Sequence, residues 1–302
     1  MSARIAVCLD LSEDQWVRLQ DGVGNYTLEA DGELEGCEIA FGNPEADRLE
    51  AVETLRWVQL ESVGFGEYMG LDWSRLENRL SLTNLAGFFS DPVAETALAG
   101  ILGLTRGIDR VVQLKSAKSW MGDTLRTCLR SIRNARVVMV GFGAINRRLA
   151  QILLPFDCEV MAIHSTTPVQ ELDDALTGAD IVVCTAPDTV ATRGLFGRER
   201  LALIPAHAIF ANLGRGSIVD EDALAEMLNT GRIGGAVLDV TVDEPLPPDH
   251  PFWTCPNTIL TQHSGGGTTD ELDRKIDVFL ENLARYRTGQ PLQGIVKMTR
   301  GY

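Results

Sequence analysis

The chain is short of positive charge. Its 302 residues carry 27 Lys and Arg against 42 Asp and Glu, a net charge of −15. That field repels phosphate backbones and anionic lipid surfaces, so neither nucleic acid nor membrane partners are expected. No apolar run reaches the roughly 20 residues that span a bilayer, and the opening MSARIAV reads as the start of a short strand rather than a leader peptide. The six cysteines, at positions 8, 37, 128, 158, 184 and 255, form no C-x-x-C pair. Several lie in apolar runs such as Ile181–Cys184, so buried, reduced thiols in a cytoplasmic protein are expected, and no metal site. Histidine is scarce as well, with four residues in all, His164, His207, His250 and His263.

The remaining composition, 45% hydrophobic and 23% charged, is that of a globular protein, and the length suffices for two domains with buried cores. Strands are expected at 4–9, 38–41 and 57–60 and helices at 14–20 and 46–55, an alternation that suggests a small α/β unit with a parallel sheet. The run Ser62-Val63-Gly64-Phe65-Gly66 follows a strand directly, where open α/β sheets bind ligands. Asp91-Pro92 reads as a helix start with Pro at the first helical position. The helix over 93–105 has apolar positions on more than one face, which predicts burial between two layers. A more basic helix is expected over 120–128. Beyond residue 136, strands at 136–140, 159–163, 180–184, 208–212, 235–240 and 258–261 interleave with helices at 147–153, 171–176 and 221–230. That is the pattern of a doubly wound sheet. A last helix, 270–287, is long enough to return to the first domain.

Arg136–Val140 (RVVMV) is a near-continuous apolar strand, as expected in a sheet covered on both faces. It leads into Gly141-Phe142-Gly143-Ala144-Ile145-Asn146 and a helix. In such a unit the first glycine permits a tight turn, the second lets the backbone approach a pyrophosphate, and the helix N-terminus supplies unpaired N–H groups. Asn146 stands where a third glycine would complete the pattern. At the end of the next strand an acid would hold the ribose 2′-hydroxyl of NAD. The chain instead reads Ile163-His164-Ser165-Thr166-Thr167. Without a carboxylate there is no repulsion against a 2′-phosphate, and His, Ser and Thr can donate to one. NADP is therefore favoured, while the lack of an arginine in this stretch keeps a neutral strand end accepting NAD or NADP as the alternative.

The chemistry-bearing residues lie further on. Asn212-Leu213-Gly214-Arg215-Gly216 precedes Gly235–Gly267, which holds Asp239 on a strand, Glu244 after it, a Pro-rich loop, another apolar strand and His263. One cation, two carboxylates and one imidazole thus come from the ends of successive strands. The plain reading of Asp239 is a helix or turn cap, but an acid after a run as apolar as Ala236–Leu238 needs a reason. Arg215 could be a surface charge, but its flanking glycines suggest close approach of backbone to a ligand. His207, between Pro205 and a strand, reads as structural, His250 as a loop residue, and His164 could be a surface strand end. His263 alone follows an apolar strand and precedes three glycines. Phe252 and Trp253 read as core or dimer contacts.

With these residues the chain resembles the NAD(P)-dependent D-2-hydroxyacid dehydrogenases, which include glyoxylate/hydroxypyruvate reductases and phosphoglycerate dehydrogenase. Trp57–Gly64 is similar to the family's substrate loop, Val93-Ala94-Glu95 with Leu98 and Arg106 to its interdomain helix, and Gly141–Asn146 to its dinucleotide turn. Asn212–Gly216 with Val219-Asp220-Glu221 resembles its arginine motif. Ala236–Val240 through Glu244-Pro245 and Pro256-Asn257 resembles its acid motif, and His263 with Gly265 and Gly266 its histidine motif. Pro291-Leu292 and Arg300-Gly301-Tyr302 resemble its C-terminal tail. Three positions depart from the pattern: Gly66, Gln262 and Asn146, the last of which could loosen cofactor placement.

The resemblance implies an α/β protein of two domains, a Rossmann-type doubly wound parallel sheet at 93–269 inserted in a smaller flavodoxin-like substrate domain formed by 1–92 and 270–302. It implies reduction of a small 2-oxo acid to the D-2-hydroxy acid, or the reverse, by a homodimer. His263 would be the proton donor, Glu244 would orient its imidazole, and Arg215 would bind the substrate carboxylate together with Ser62, Val63 and Gly64. Asp239 and the Leu213 carbonyl would hold the nicotinamide carboxamide. Ala144 and Ile145 would lie at the pyrophosphate, His164 and Ser165 at the adenosine ribose, and Thr185-Ala186-Pro187 beside the adenosine. Gly141, Gly143, Gly214 and Gly265 complete the cofactor surface, to which Arg215 and His263 also contribute. Glyoxylate or hydroxypyruvate is the favoured substrate. The alternatives are 3-phosphoglycerate or another 2-hydroxy acid, or a dinucleotide-sensing, corepressor-like binding protein without turnover.

Overall fold

The structure is a computed structural model that describes residues 3–298, so the tail residues Arg300-Gly301-Tyr302 lie outside the described residues. Before Phe89 the chain runs β1 (Arg4–Cys8), α1 (Glu13–Val23), β2 (Thr27–Glu29), β3 (Ile39–Gly42), α2 (Ala46–Ala51), β4 (Trp57–Gln59), α3 (Trp73–Leu76) and β5 (Ser81–Thr83). There follow α4 (Ser90–Thr105), α5 (Ile108–Ser116), α6 (Asp123–Arg126), β6 (Arg136–Val140), α7 (Ala144–Leu153), β7 (Glu159–Ile163), α8 (Val169–Thr177) and β8 (Ile181–Cys184). The chain ends with α9 (Arg198–Leu201), β9 (Ile209–Asn212), α10 (Glu221–Asn229), β10 (Gly235–Leu238), β11 (Thr258–Leu260) and α11 (Glu271–Arg287). Two compact units result, one from the described residues before Phe89 and after Gly267, the other Phe89–Gly267. No described helix is long and apolar enough to cross a membrane.

The first unit is an all-parallel sheet in the order β2-β1-β3-β4-β5, the flavodoxin-like arrangement. The short edge strands β2 and β5 carry too little periodicity to be read from sequence. Residues alternate between the two faces of each strand. Ile5, Val7, Ile39, Phe41 and Trp57 face α1 and the returning helix α11, where Phe279 stacks on Phe41 with ring centroids 4.4 Å apart. Ala6, Ala40 and Val58 face the opposite core with Leu49, Leu76 and Tyr68.

The second unit is a six-stranded parallel sheet in the order β11-β10-β9-β8-β6-β7. The chain winds in opposite directions from β6, to β7 on one side and to β8 on the other, so the crevice beyond the carboxyl ends of β6 and β8 is the topological switch point. Val138, Val140, Val182, Cys184, Phe210 and Leu238 fill one face, and Val137, Met139, Ile181, Val183, Ile209 and Val237 the other. Two outcomes differ from expectation. The buried positions of α4, Val93, Ala94, Ala97, Gly100, Ile101 and Thr105, form a single stripe at helical spacing against this second face, rather than the expected burial between two layers. The basic helix expected over 120–128 shrinks to α6, because residues 108–116 take the helix instead. The thiols are all unpaired, but Cys128 is exposed rather than buried.

Candidate active site

The turn after β6 has the geometry a dinucleotide needs. Gly141 has φ +80°, and a Cβ there would lie 2.8 Å from the backbone of Ala186. Only glycine meets both demands. Gly143 begins α7 with no side-chain cap, and a Cβ on it would meet no atom within 4 Å. Open space therefore lies over the helix N-terminus, where the first N–H groups, of Ala144 and Ile145, have no acceptor among the described residues. A diphosphate satisfies such groups and the dipole behind them. Thr185 donates its hydroxyl to the Gly141 carbonyl at 2.9 Å, and Ala186 and the exposed Pro187 continue the β8 loop along the turn.

Asn146 is fully buried, and its amide donates to the Gly141 carbonyl at 2.9 Å and to the Val140 and Val183 carbonyls at 3.4 Å. The residue thus stitches the ends of β6 and β8 together. At the end of β7, His164 and Ser165 are exposed, and the His164 N–H donates to the Thr167 hydroxyl at 3.0 Å. The His164 ring meets the edge of Phe142 at 5.6 Å, and Arg147 donates to the Phe142 carbonyl at 3.4 Å. An arginine from α7 therefore stands near a strand end whose own sequence contains none. The turn, the open helix end and this polar strand end fit a nicotinamide dinucleotide.

Arg215, Asp239, Glu244 and His263 all belong to the second unit. Asn212 holds the arginine loop from below. Its amide donates to the Arg215 carbonyl at 2.9 Å, and its carbonyl accepts from the Gly214 N–H at 3.1 Å. Arg215 itself is exposed and donates to the Gly214 carbonyl at 2.7 Å. Gly214 packs on the β8 loop, where a Cβ would come 2.6 Å from the Ala186 carbonyl oxygen. Gly216 packs on the Thr241–Val242 peptide, where a Cβ would come 2.0 Å from the Thr241 carbonyl carbon.

Asp239 is 5% exposed at the end of β10 and accepts from the Thr261 hydroxyl at 2.6 Å and the Gly265 N–H at 3.1 Å, both on Oδ1. Among the described residues its Oδ2 accepts nothing. The Leu213 carbonyl lies at the neighbouring strand end. Gly265 must lack a side chain because a Cβ would meet the Asp239 carboxylate at 2.9 Å.

His263 has φ +55°, as does Gln262, a left-handed backbone that non-glycine residues adopt rarely and often at functional sites. The His263 N–H donates to the Asp239 carbonyl, which fixes this turn on β10. Its Nδ1 lies 2.6 Å from Glu244 Oε2, while Glu244 Oε1 accepts from the Thr241 N–H at 3.0 Å. Burial alone would push the Glu244 carboxyl up. The bond from His263, the Thr241 N–H and the charges of His263 and Arg215 outweigh it and hold the group below the ordinary glutamate value. An ionised carboxylate can only accept, so Nδ1 carries a proton toward it, and Nε2 has no partner among the described residues.

Ser62, Val63 and Gly64 belong to the first unit, in the loop after β4. Asn84 donates to the Val63 carbonyl at 2.7 Å, Asn43 accepts from the Glu61 N–H at 3.2 Å, and the Ser62 hydroxyl donates to the Gly64 carbonyl at 2.7 Å. Among the described residues the N–H groups of Ser62, Val63 and Gly64 have no acceptor, so the loop presents donors. The sequence alone gave no signal for Asn43, Asn84 or Thr261, whose roles are set by contacts across the fold. His207 pairs with Asp180 at 2.9 Å beside a cavity of about 300 Å³ at the amino ends of the strands, the opposite end from Gly141 and His263.

Residues 98–265 match the family described as D-isomer specific 2-hydroxyacid dehydrogenase, NAD binding domain. The chain is 31% identical to glyoxylate/hydroxypyruvate reductase B of Pectobacterium atrosepticum, over 87% of this chain and 85% of that one. It is 30% identical to glyoxylate reductase of Thermofilum pendens, over 82% and 76%. Its structure is similar to that of a D-isomer specific 2-hydroxyacid dehydrogenase from Xanthobacter autotrophicus Py2 in complex with NADPH and MES, with TM-score 0.82, 26% identity and 100% of each chain covered.

Proposed function

The chain belongs to the D-isomer specific 2-hydroxyacid dehydrogenase family, NAD(P)-dependent oxidoreductases, and from that premise we propose that it reduces a small 2-oxo acid of the glyoxylate or hydroxypyruvate type. The observation that carries this reading is the His263–Glu244 pair at 2.6 Å, with Glu244 pinned by the Thr241 backbone. When bound, the nicotinamide would supply the hydride. Arg215 binds the substrate carboxylate through its planar fork of donors, and in the first unit the loop Ser62–Gly64 is the proposed substrate-binding loop. His263 Nε2 gives its proton to the carbonyl oxygen as that oxygen gains negative charge. Glu244 keeps the opposite nitrogen protonated and stabilises the imidazolium before transfer. In the oxidative direction the same nitrogen takes the proton back.

Gly141, Gly143, Ala144 and Ile145 would hold the diphosphate, Asp239 Oδ2 and the Leu213 carbonyl the carboxamide, and Thr185-Ala186-Pro187 the adenosine side. NADP is the cofactor we favour, on the absence of an acid at His164–Thr167 and the presence of Arg147 close by. The six unpaired cysteines support a cytoplasmic setting. A homodimer is supported by α5, which buries no residue, and by Val112 and Trp120, 60% and 95% exposed. Apolar surface of this kind calls for a partner, and a second copy of this chain is the one proposed.

The test is nicotinamide absorbance with purified protein, NADPH or NADH, and a panel of 2-oxo acids including glyoxylate, hydroxypyruvate and 3-phosphohydroxypyruvate. The expected outcome is turnover of the two small acids with a higher kcat/KM for NADPH. Tight cofactor binding with no turnover of any acid would overturn the enzymatic reading in favour of a sensor.

A further inference from the structure

A second imidazole–carboxylate pair lies behind the first. Glu221 opens α10, whose N-cap is supplied by Asp220 through the Ala223 N–H at 2.9 Å, so Glu221 is not needed as a cap. Its side chain is 14% exposed, and Oε1 accepts from the Val242 N–H at 2.9 Å. His250, 18% exposed, places Nε2 3.5 Å from Glu221 Oε2. Its Nδ1 accepts from the Phe252 N–H at 3.3 Å, and its ring leans on that of Phe252, itself in the core of the unit. An Nδ1 that accepts from a backbone N–H is unprotonated, so the proton of neutral His250 sits on Nε2, facing Glu221. His250 is a loop residue, as the sequence reading has it, and its ring is held on both nitrogens.

What the pair holds is the segment that carries Glu244. Val242 is bonded by Glu221, and Thr241 beside it is bonded by Glu244. The Thr241 hydroxyl donates to the Asp243 carbonyl at 2.8 Å, closing the segment on itself. Gly216, next to Arg215, packs directly on the Thr241–Val242 peptide. Val242 is 58% exposed, so no apolar burial fixes this peptide from its side-chain direction. Its tether is one hydrogen bond to a carboxylate, and that carboxylate is oriented by one histidine. Burial pushes the Glu221 carboxyl up, the Val242 N–H and His250 oppose that, and Asp243 adds to it.

We infer that Glu221 and His250 are positioning residues for proton transfer: through the Val242 N–H they set where Glu244 stands, and through Glu244 they orient His263. The inference rests on the proposed role of Glu244 and His263. A charged acceptor holds a backbone N–H more firmly than a neutral one, and a displacement on the order of 1 Å in such a constellation lowers rate about 100-fold.

The experiment is a double-mutant cycle on kcat with glyoxylate or another turned-over acid, using Glu221→Ala, Glu244→Gln and the pair. We expect Glu221→Ala to lower kcat by roughly 10- to 100-fold with KM for the acid and dinucleotide affinity within about twofold. Glu221→Gln, which keeps an acceptor for Val242, should recover part of the loss. The double variant should be no slower than Glu244→Gln alone, because residues acting as a unit are not additive. Multiplicative losses, or an unchanged kcat in Glu221→Ala, would overturn the inference. Should the alanine variant fail to fold, Glu221→Gln and His250→Gln carry the same cycle. If Glu244→Gln by itself leaves kcat intact, it is the proton-transfer reading that fails, and the two failures are told apart.

Discussion

Gly216→Ala should part Arg215 from the loop that carries Glu244. A Cβ at this position would lie 2.0, 2.2 and 2.3 Å from the carbonyl carbon and oxygen of Thr241 and the nitrogen of Val242. Ordinary contact begins near 3.4 Å, and all three atoms are backbone, so no rotamer change can relieve the overlap. The Thr241–Val242 peptide cannot retreat freely, because its N–H is bonded to Glu221 and the N–H of the preceding peptide, that of Thr241, to Glu244. The arginine loop is held in turn by Asn212. The two segments must separate by on the order of 1 Å, a misplacement that costs about 100-fold in rate, or about 2.7 kcal/mol of transition-state stabilisation. Overpacking of this kind destabilises the fold by roughly 1–3 kcal/mol, which lowers Tm by several degrees. The assay is kcat/KM by nicotinamide absorbance beside a thermal melt and dinucleotide titration. Cofactor binding should fall less than turnover, since the turn at Gly141–Gly143 lies between β6 and α7, elements separate from the arginine loop. A folded variant with kcat/KM within about threefold of the parent would refute the claim that this glycine brings arginine and acid together.

The other expectations can be checked with the same preparations. His263→Gln should lower kcat by at least about 100-fold while the dinucleotide still binds, and full activity would remove His263 from the mechanism. The Glu244 carboxyl is held below its ordinary value, so the stabilisation it gives is complete above that value and is lost as pH falls through the lower, folded one. A pH series of melts should show this acid-side loss in the parent and a shallower one in Glu244→Gln, and identical slopes would contradict the assignment. Gly143→Asp puts a side chain and a negative charge into the open space over α7, so it should raise the dinucleotide Kd at least tenfold with Tm little changed. Trp120→Asp should shift the proposed dimer toward monomer in sedimentation, by about 30-fold or more in Kd if this residue anchors the contact. A parent that sediments as a monomer would dispose of the dimer.

The sequence by itself determined the class of the fold and singled out the groups proposed to react. Strands such as Arg136–Val140 declare themselves because a sheet covered on both faces needs unbroken apolar runs. Gly141 declares a turn because no other residue meets both its φ of +80° and the close approach of the Ala186 backbone. Arg215, Glu244 and His263 stand out because an acid, a base and a fork of donors appear at the ends of apolar strands, where nothing in the packing calls for them. Only the tertiary structure decided how these groups are held. That Asn146 binds β6 to β8, that Asn212 braces the arginine loop, and that Glu221 and His250 tether Val242 depend on partners from separate elements. Local pattern cannot see such pairs: a hydrogen bond is directional and short, and whether a buried polar side chain meets its partner is settled only when the elements pack.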